Sequence, residues 1–274
     1  MIRALSDILV LSDMDGTLLN TEKKLLAGNL QTIRLFTAMG GRFAIATGRV
    51  SESVSRYKEL LSSLSPSITS GGCILYDFKS QKAVKSALLP PLPAQKAMDE
   101  IIRLFPALGV VIMAGNGRVY QLQASLQTRT LFCDEKITYF VRPRQDLPPN
   151  WNKVLFAGPA HVLEEVENYV SMQHYPGIYF VATDRNYFEM MPQGVSKGSA
   201  LESLCEVMNI PLDNTIAIGD YYNDIDIMRK AGHSVAMANA PREIQILADE
   251  TTAGCNECGV GQYLYKLIKQ YEKK

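Results

Sequence analysis

The sequence carries no surplus of charge, with 28 lysines and arginines set against 28 aspartates and glutamates in 274 residues. That balance excludes the broad positive field that gathers nucleic acid or an anionic membrane nonspecifically, so an anionic ligand must be held locally. Long hydrophobic runs are also missing, and none approaches the roughly 20 residues that span a bilayer. The opening segment, residues 1–10, has one arginine and a short apolar run but no small-residue cleavage pattern. No export signal is expected, and a cytoplasmic location is. Cysteine is sparse: Cys73, Cys133, Cys205, Cys255 and Cys258 are an odd number without secretory features, which argues against a disulfide framework. Cys255 and Cys258 form one C-x-x-C pair, but no second Cys or His pair stands at matching zinc spacing, so both are read as incidental thiols. Internal repeats and low-complexity tracts are absent too. A zero formal charge eases self-association without establishing it, and the oligomeric state is left open.

What is present is an apolar content of 47%, enough for a substantial core in one large or two ordinary domains. Ile8, Leu9, Val10 and Leu11 form a run of strand formers that ends in Ser12-Asp13-Met14-Asp15-Gly16-Thr17, a buried parallel strand followed by a loop. Leu26, Leu30 and Ile33 recur at helical spacing, and Gly40-Gly41 supply a stop. Phe43 to Ala46 reads as a second strand that breaks at Thr47-Gly48-Arg49. A helix over about residues 51–61 and a β segment near residues 67–70 follow. This alternation is the mark of a parallel sheet with right-handed crossovers.

The rhythm changes from about Ala83. Met98, Ile101, Ile102 and Phe105 share a helix face, and strands are expected near residues 110–113 and 118–122. Residues 128–150 are expected to be irregular, since Pro143, Pro148 and Pro149 discourage regular elements. Strands near 154–157, 178–182 and 187–190, with a helix near 162–172, complete a second α+β domain. The parallel pattern then resumes with a helix over 197–208 and a strand over 215–218 that leads to Asp220. A helix after Asn223, a strand over 234–237, a Pro241-led helix and a last helix bearing Val260, Leu264, Ile268 and Tyr271 follow.

Ligands of an open parallel sheet bind outside the carboxyl ends of its strands, where this reading puts Asp13, Asp15, Thr47 and Asp220. With an extended backbone, Asp13 and Asp15 would leave the chain on the same side. Clustered carboxylates raise one another's pKa unless a cation compensates, and a hard, oxygen-preferring divalent ion such as magnesium is the natural partner. Taken singly, each feature has an ordinary reading. The D-x-D-G-T segment suits a turn, Thr47 a strand end, Lys197 a solvated helix start, and Asp220, Asn223 and Asp224 a helix cap.

Together the motifs carry a resemblance. Asp13-Met14-Asp15-Gly16-Thr17-Leu18 resembles the D-x-D-G-T-L signature of the haloacid dehalogenase (HAD) superfamily of aspartate-nucleophile phosphatases. Thr47 in Ala46-Thr47-Gly48-Arg49, Lys197 in Gly194-Val195-Ser196-Lys197-Gly198, and Asp220 to Asp224 in Gly219-Asp220-Tyr221-Tyr222-Asn223-Asp224 resemble its further motifs, in order. The large insertion and the segment Ala236-Met237-Ala238-Asn239-Ala240 are similar to the Cof-type branch. The resemblance implies an α/β fold: a Rossmann-like parallel-sheet core with helices on both faces, residues 1–82 and 192–274, plus an inserted α+β cap domain, residues 83–191, that opens and closes. It implies a magnesium-dependent phosphatase for small phosphorylated metabolites such as sugar phosphates, nucleotides or pyridoxal phosphate. Asp13 resembles the nucleophile and Asp15 the acid and base, a role helped by a neighbour that disfavours its charge. Magnesium is assigned to Asp13, the Asp15 carbonyl and Asp220, with Asp224 behind them holding a water on the metal. Thr47, the Met14 and Gly48 amides, Lys197 and Asn223 are assigned to the phosphoryl oxygens.

Three positions depart from the family pattern. Gly71 in Ser70-Gly71-Gly72 replaces an Asn, Tyr221 stands where a small residue is usual, and Cys258 where an acid is common. All three bear on substrate choice. Arg49 is expected to grip an anionic part of the substrate in bidentate fashion, and Asn186 is a candidate cap contact alongside Arg118, Arg129, Asp184, Arg185 and Glu189. Two alternatives use the same residues: a phosphomutase that returns the phosphoryl group to a sugar, and a non-catalytic phosphate-binding or receiver-like module. The acid at Asp15 argues against the receiver, because it would speed hydrolysis of a phospho-aspartate.

Overall fold

A computed structural model describes residues 4–272, so the first three residues of the opening segment lie outside it. In chain order the elements are β1 (Leu9–Ser12), α1 (Ala27–Ala38), β2 (Arg42–Ile45), α2 (Ser51–Val54), α3 (Lys58–Leu61), β3 (Ser67–Thr69), β4 (Ile74–Asp77) and β5 (Lys82–Ser86). Then come α4 (Pro91–Leu104), β6 (Gly109–Ala114), β7 (Val119–Gln123), α5 (Leu126–Glu135), β8 (Tyr139–Val141), β9 (Trp151–Ala157), α6 (Ala160–Ser171), β10 (Ile178–Asp184) and β11 (Tyr187–Pro192). The chain ends with α7 (Lys197–Met208), β12 (Thr215–Gly219), α8 (Ile225–Lys230), β13 (His233–Met237), α9 (Arg242–Leu247), β14 (Glu250–Thr252) and α10 (Gly259–Glu272). The chain folds as two compact units, Met1–Lys85 with Ser196–Lys274, and Ser86–Val195.

The first unit is built on a five-stranded sheet in the order β14-β13-β12-β1-β2, parallel throughout. Its strands are apolar on both sides because both faces are covered. Val10, Ile45, Ile218 and Val235 join the layer that includes Ile33 and Phe36 of α1 and Val260, Leu264 and Ile268 of α10. Leu9, Leu11, Ala44, Ala217 and Ala236 face the opposite layer, with Leu201 and Leu204 of α7, Ile227 of α8 and Ile244 of α9. Period-two alternation thus puts neighbouring residues of one strand into separate cores. A small sheet in the order β3-β4-β5 adjoins this one through a bridge from Ala46 to Ile68. From β1 the chain goes first to β2 and later, from β12, to β13 and β14 on the other side. Such a reversal opens a crevice at the strand ends.

The second unit is a six-stranded mixed sheet in the order β10-β11-β9-β6-β7-β8. Its α4 and α6 bury Ala97, Met98, Ile101, Val166 and Val170 against Val110, Ile112, Val154, Phe156 and Met190. Among the described residues no helix is long and apolar enough to cross a membrane.

Several elements differ from expectation. The helix over 51–61 is two short helices, because the backbone leaves the helical region at Tyr57 (φ −85°, ψ 60°). The Tyr57 hydroxyl donates to the Lys23 carbonyl, 3.0 Å away, a tertiary contact that overrides the local preference. The stretch 128–150 is regular in part, containing the end of α5 and all of β8. In α5 Ser125 caps the first turn, its Oγ accepting from the Thr128 amide at 3.2 Å, while Thr128 Oγ1 accepts from the Ser125 amide at 2.9 Å. Its apolar residues form no stripe, so periodicity gave no signal. Strands β4, β5 and β14 also escaped the reading, since β5 is exposed throughout and β14 holds only Glu-Thr-Thr.

Candidate active site

Asp13 follows β1 directly, and its amide continues the ladder by donating to the Ile218 carbonyl at 2.9 Å. The chain then turns away. Gly16 sits at φ 76°, and a Cβ there would collide with the Asp220 carboxylate, so this loop needs glycine for both its backbone and its close approach. Thr17 Oγ1 donates to Asp220 Oδ1 at 2.7 Å, and Asn239 Nδ2 donates to the Gly16 carbonyl at 2.8 Å. These bonds tie the loop after β1 to the ends of β12 and β13.

Asp13, Asp220 and Asp224 each bring a carboxylate oxygen within 4.8 Å of the others. Lys197, the first residue of α7, extends a buried ammonium into the group, with Nζ 2.6 Å from Asp13 Oδ1 and 2.7 Å from Asp224 Oδ1. The other Asp224 oxygen accepts from the amides of Asp220 (3.1 Å) and Tyr221 (3.3 Å). Asp224 is therefore a buried brace that fixes both the lysine and the loop carrying Asp220, not a simple helix cap. Burial pushes Asp13 well above the usual carboxylate range, Lys197 opposes this, and Asp224 and Asp220 add to it. Asp220 is pushed up to about 6, first by burial, against the Thr17 hydrogen bond and with the Asp224 charge. Lys197 stays protonated: burial works against its charge, but Asp13 and Asp224 hold its pKa above the ordinary value. With all three carboxylates ionised, one ammonium would leave two negative charges uncompensated, so that burial and mutual repulsion together raise the pKa values of Asp13 and Asp220 and a proton or a cation is needed. An all-oxygen donor set with that surplus fits a hard divalent cation.

Asp15 does not join this cluster. The strand ends at Ser12 and a turn follows at Met14, so β1 does not run on to Asp15. Its carboxylate is gripped by Arg49, with Nε 2.6 Å from Oδ2 and Nη2 2.7 Å from Oδ1, and Lys23 Nζ lies 2.7 Å from Oδ1. Burial favours the neutral acid, but the hydrogen bonds and charges of Arg49 and Lys23 win and bring Asp15 down to about 2. The neighbours of Asp15 thus favour its charge, contrary to expectation. Arg49 directs its fork at Asp15 instead of outward toward a substrate, and Ser53 Oγ accepts from its Nη1 at 2.9 Å.

Thr47 is buried beyond β2, and its Oγ1 accepts from the Arg49 amide at 3.1 Å. Met14 is fully buried, with its carbonyl accepting from the Leu19 amide at 2.8 Å, while Asn223 is exposed. Gly48 has open space where a Cβ would stand, which leaves its backbone approachable. Gly71 lies at φ 71°, a conformation that glycine and asparagine both adopt readily. Tyr221 and Tyr222 are half exposed, their rings edge to face at 5.0 Å. Cys258 is at φ 57° just before α10, next to Gly28.

In the second unit Asn186 lines a cleft of about 530 Å³ with Gln127, His161, Glu164 and Arg185. Arg118, Arg129, Asp184 and Arg185 are exposed. Glu189 is buried and paired with Lys153 at 2.7 Å. Sequence reasoning passed over Lys153, Lys23 and the bridging role of Asn239. Only Asn239 had a signal, its place in the Ala236–Ala240 segment.

The model of the haloacid dehalogenase-like hydrolases matches residues 10–264. The chain belongs to the HAD-like hydrolases. It is 24% identical over 266 residues to the pyridoxal phosphate phosphatase YbhA of Escherichia coli, covering 92% of this chain and 96% of that protein. It is 23% identical over 258 residues to the 5-amino-6-(5-phospho-D-ribitylamino)uracil phosphatase YitU of Bacillus subtilis, covering 93% and 96%. The crystal structure of a HAD-like hydrolase from Bacteroides thetaiotaomicron superposes with a TM-score of 0.86 at 24% identity, over 95% of this chain and 99% of that one. The HAD fold is thus shared along nearly the whole length.

Proposed function

We propose that this HAD-like hydrolase is a magnesium-dependent phosphatase of small phosphorylated metabolites, working through a phospho-aspartate on Asp13. The observation that carries this reading is the cluster of Asp13, Asp220 and Asp224 at the carboxyl ends of parallel strands, in which buried Asp13 and Asp224 hold the Lys197 ammonium and Asp220 is partly exposed. Lys197 holds one oxygen of Asp13 and so orients the carboxylate for attack on phosphorus. Attack forms a bond from Asp13 oxygen to phosphorus and breaks the ester P–O bond, while Asp15, ionised in the free protein, relays to the departing alkoxide a proton that it first takes up from the phosphate monoanion or from solvent. Water then attacks the same phosphorus, Asp15 takes its proton, and the Asp13–phosphorus bond breaks to release orthophosphate.

The ionised state that Arg49 and Lys23 favour suits Asp15 as the base of this second step. Arg49 acts as its positioning residue. The Met14 and Gly48 amides, Thr47, Lys197 and Asn223 donate to the phosphoryl oxygens. Asp13, the Asp15 carbonyl and Asp220 would hold magnesium, whose charge, when bound, offsets that of the phosphoryl group. The phosphate esters named for the two curated relatives, of pyridoxal and of a ribitylamino-uracil, suggest the substrate class: monoesters of small polar alcohols.

The test is phosphate release from a panel of phosphomonoesters with and without magnesium, comparing wild type with Asp13→Asn and Asp15→Asn. Magnesium-dependent release that Asp13→Asn abolishes supports the reading. A folded wild type that releases phosphate from no ester overturns it. Transfer of the phosphoryl group to a second sugar instead of water would mark a mutase.

A further inference from the structure

Arg49 alone satisfies both oxygens of Asp15, and its side chain is only 3% exposed, fixed from behind by Ser53. Lys23 is a second cation on a carboxylate that already has a bidentate partner, and it approaches from the solvent side, 51% exposed. One carboxylate between two cations leaves a net positive charge, and the exposed member of the set is the lysine.

The backbone holds Lys23 in place. It lies at φ 59°, a conformation that side chains other than those of Gly, Asn and Asp rarely adopt and that persists where the surroundings impose it. Those surroundings are a tight hairpin: Leu19 bridges Leu25, and the Lys23 amide donates to the Asn20 carbonyl at 2.9 Å. Asn20 Oδ1 accepts from the amides of Glu22 (3.1 Å) and Lys24 (2.8 Å). Thr21 is tied to Asn256 Oδ1 by its amide and hydroxyl, both at 3.1 Å, and Tyr57 donates to the Lys23 carbonyl. A hairpin pinned at both sides thus presents a flexible ammonium beside Asp15.

If Asp15 exchanges a proton with the ester oxygen, the carbons next to that oxygen lie within reach of the Lys23 side chain. We propose that Lys23 is a specificity-determining residue that selects phosphomonoesters whose organic part bears a second anionic group, a carboxylate or a further phosphate, close to the ester oxygen. The ammonium swings from Asp15 to that group, and Arg49 keeps Asp15 in position. This rests on the phosphatase reading above and on the acid–base place of Asp15 in it.

The test measures competition by two probes of similar size, 3-phosphoglycerate and glycerol 3-phosphate, against hydrolysis of p-nitrophenyl phosphate. A charge-assisted contact made to only one probe should make the inhibition constant for 3-phosphoglycerate about tenfold lower in wild type. Lys23→Gln should bring the ratio of the two constants to about one, and Lys23→Arg should restore it, as expected for a contact that depends on charge. Equal constants in wild type overturn the inference. So does a Lys23→Gln variant in which both constants weaken together at an unchanged ratio, because that marks a lysine that only braces Asp15 or grips the transferred phosphate. Failure to hydrolyse p-nitrophenyl phosphate or any other ester bears instead on the phosphatase reading.

Discussion

The two units each bury a lysine against carboxylates, and the two burials are of different kinds. In the second unit Lys153 and Glu189 form a balanced pair at 2.7 Å, with side chains 1% and 9% exposed. In the first unit Lys197 faces Asp13 and Asp224 with Asp220 beside them, one positive charge among three negative ones. A balanced pair needs nothing further, while an unbalanced cluster is electrostatically incomplete until a cation or a proton joins it. The difference separates a structural burial of charge from one arranged for a ligand, although both look alike as buried ion pairs.

The sharpest break of this comparison is Asp13→Asn. It should lower phosphate release by about 10⁴-fold or more if Asp13 is the nucleophile, in line with loss of a group that acts as part of a unit. Because it also removes one surplus negative charge, the unfolding midpoint without metal should hold or rise. A discontinuous phosphate assay and a thermal melt on the same sample check both halves. Stripping divalent ions with a chelator should reduce release to background, and magnesium should restore it. Magnesium should also raise the melting temperature of wild type but not of Asp220→Asn, read by calorimetry.

Asp15→Asn should have a smaller effect than Asp13→Asn, on the order of 10²- to 10⁴-fold in kcat, since it removes proton transfer and leaves the nucleophile. That loss should shrink for esters with good leaving groups such as p-nitrophenol, which need little protonation. The last test concerns the balanced pair, and its readout is stability. Lys153→Met strands a buried carboxylate and should cost about 3–5 kcal/mol in denaturant unfolding, whereas Lys153→Met with Glu189→Leu should recover most of that. Recovery failing in the double variant would show that the pair itself carries the stability, beyond avoiding a stranded charge.

Much of the fold was legible because its signals are local. The apolar runs at Leu9, Phe43 and Ile216 mark buried parallel strands, and the stripe of Leu201, Leu204 and Cys205 marks α7 over the residues expected. Elements without an apolar pattern were hidden, as in α5, with its adjacent Leu131 and Phe132, and β14, which is held by pairing with β13. The same division holds at the site. Asp13, Thr47, Lys197 and Asp220 stand out from their neighbours in sequence, but the partners of Asp15 do not.

By itself the sequence determined where the parallel strands β1, β2, β12 and β13 run and that acids follow β1 and β12, because strand-forming runs and the residues that end them are adjacent in the chain. Only the tertiary structure decided how those charges pair. Arg49 turned to Asp15, Lys23 joined it from a hairpin, and Asp224 became the brace of Lys197. Coulombic and hydrogen-bond partners are set by separations of about 3 Å in space, and only the folded backbone brings side chains so distant in the chain to that range.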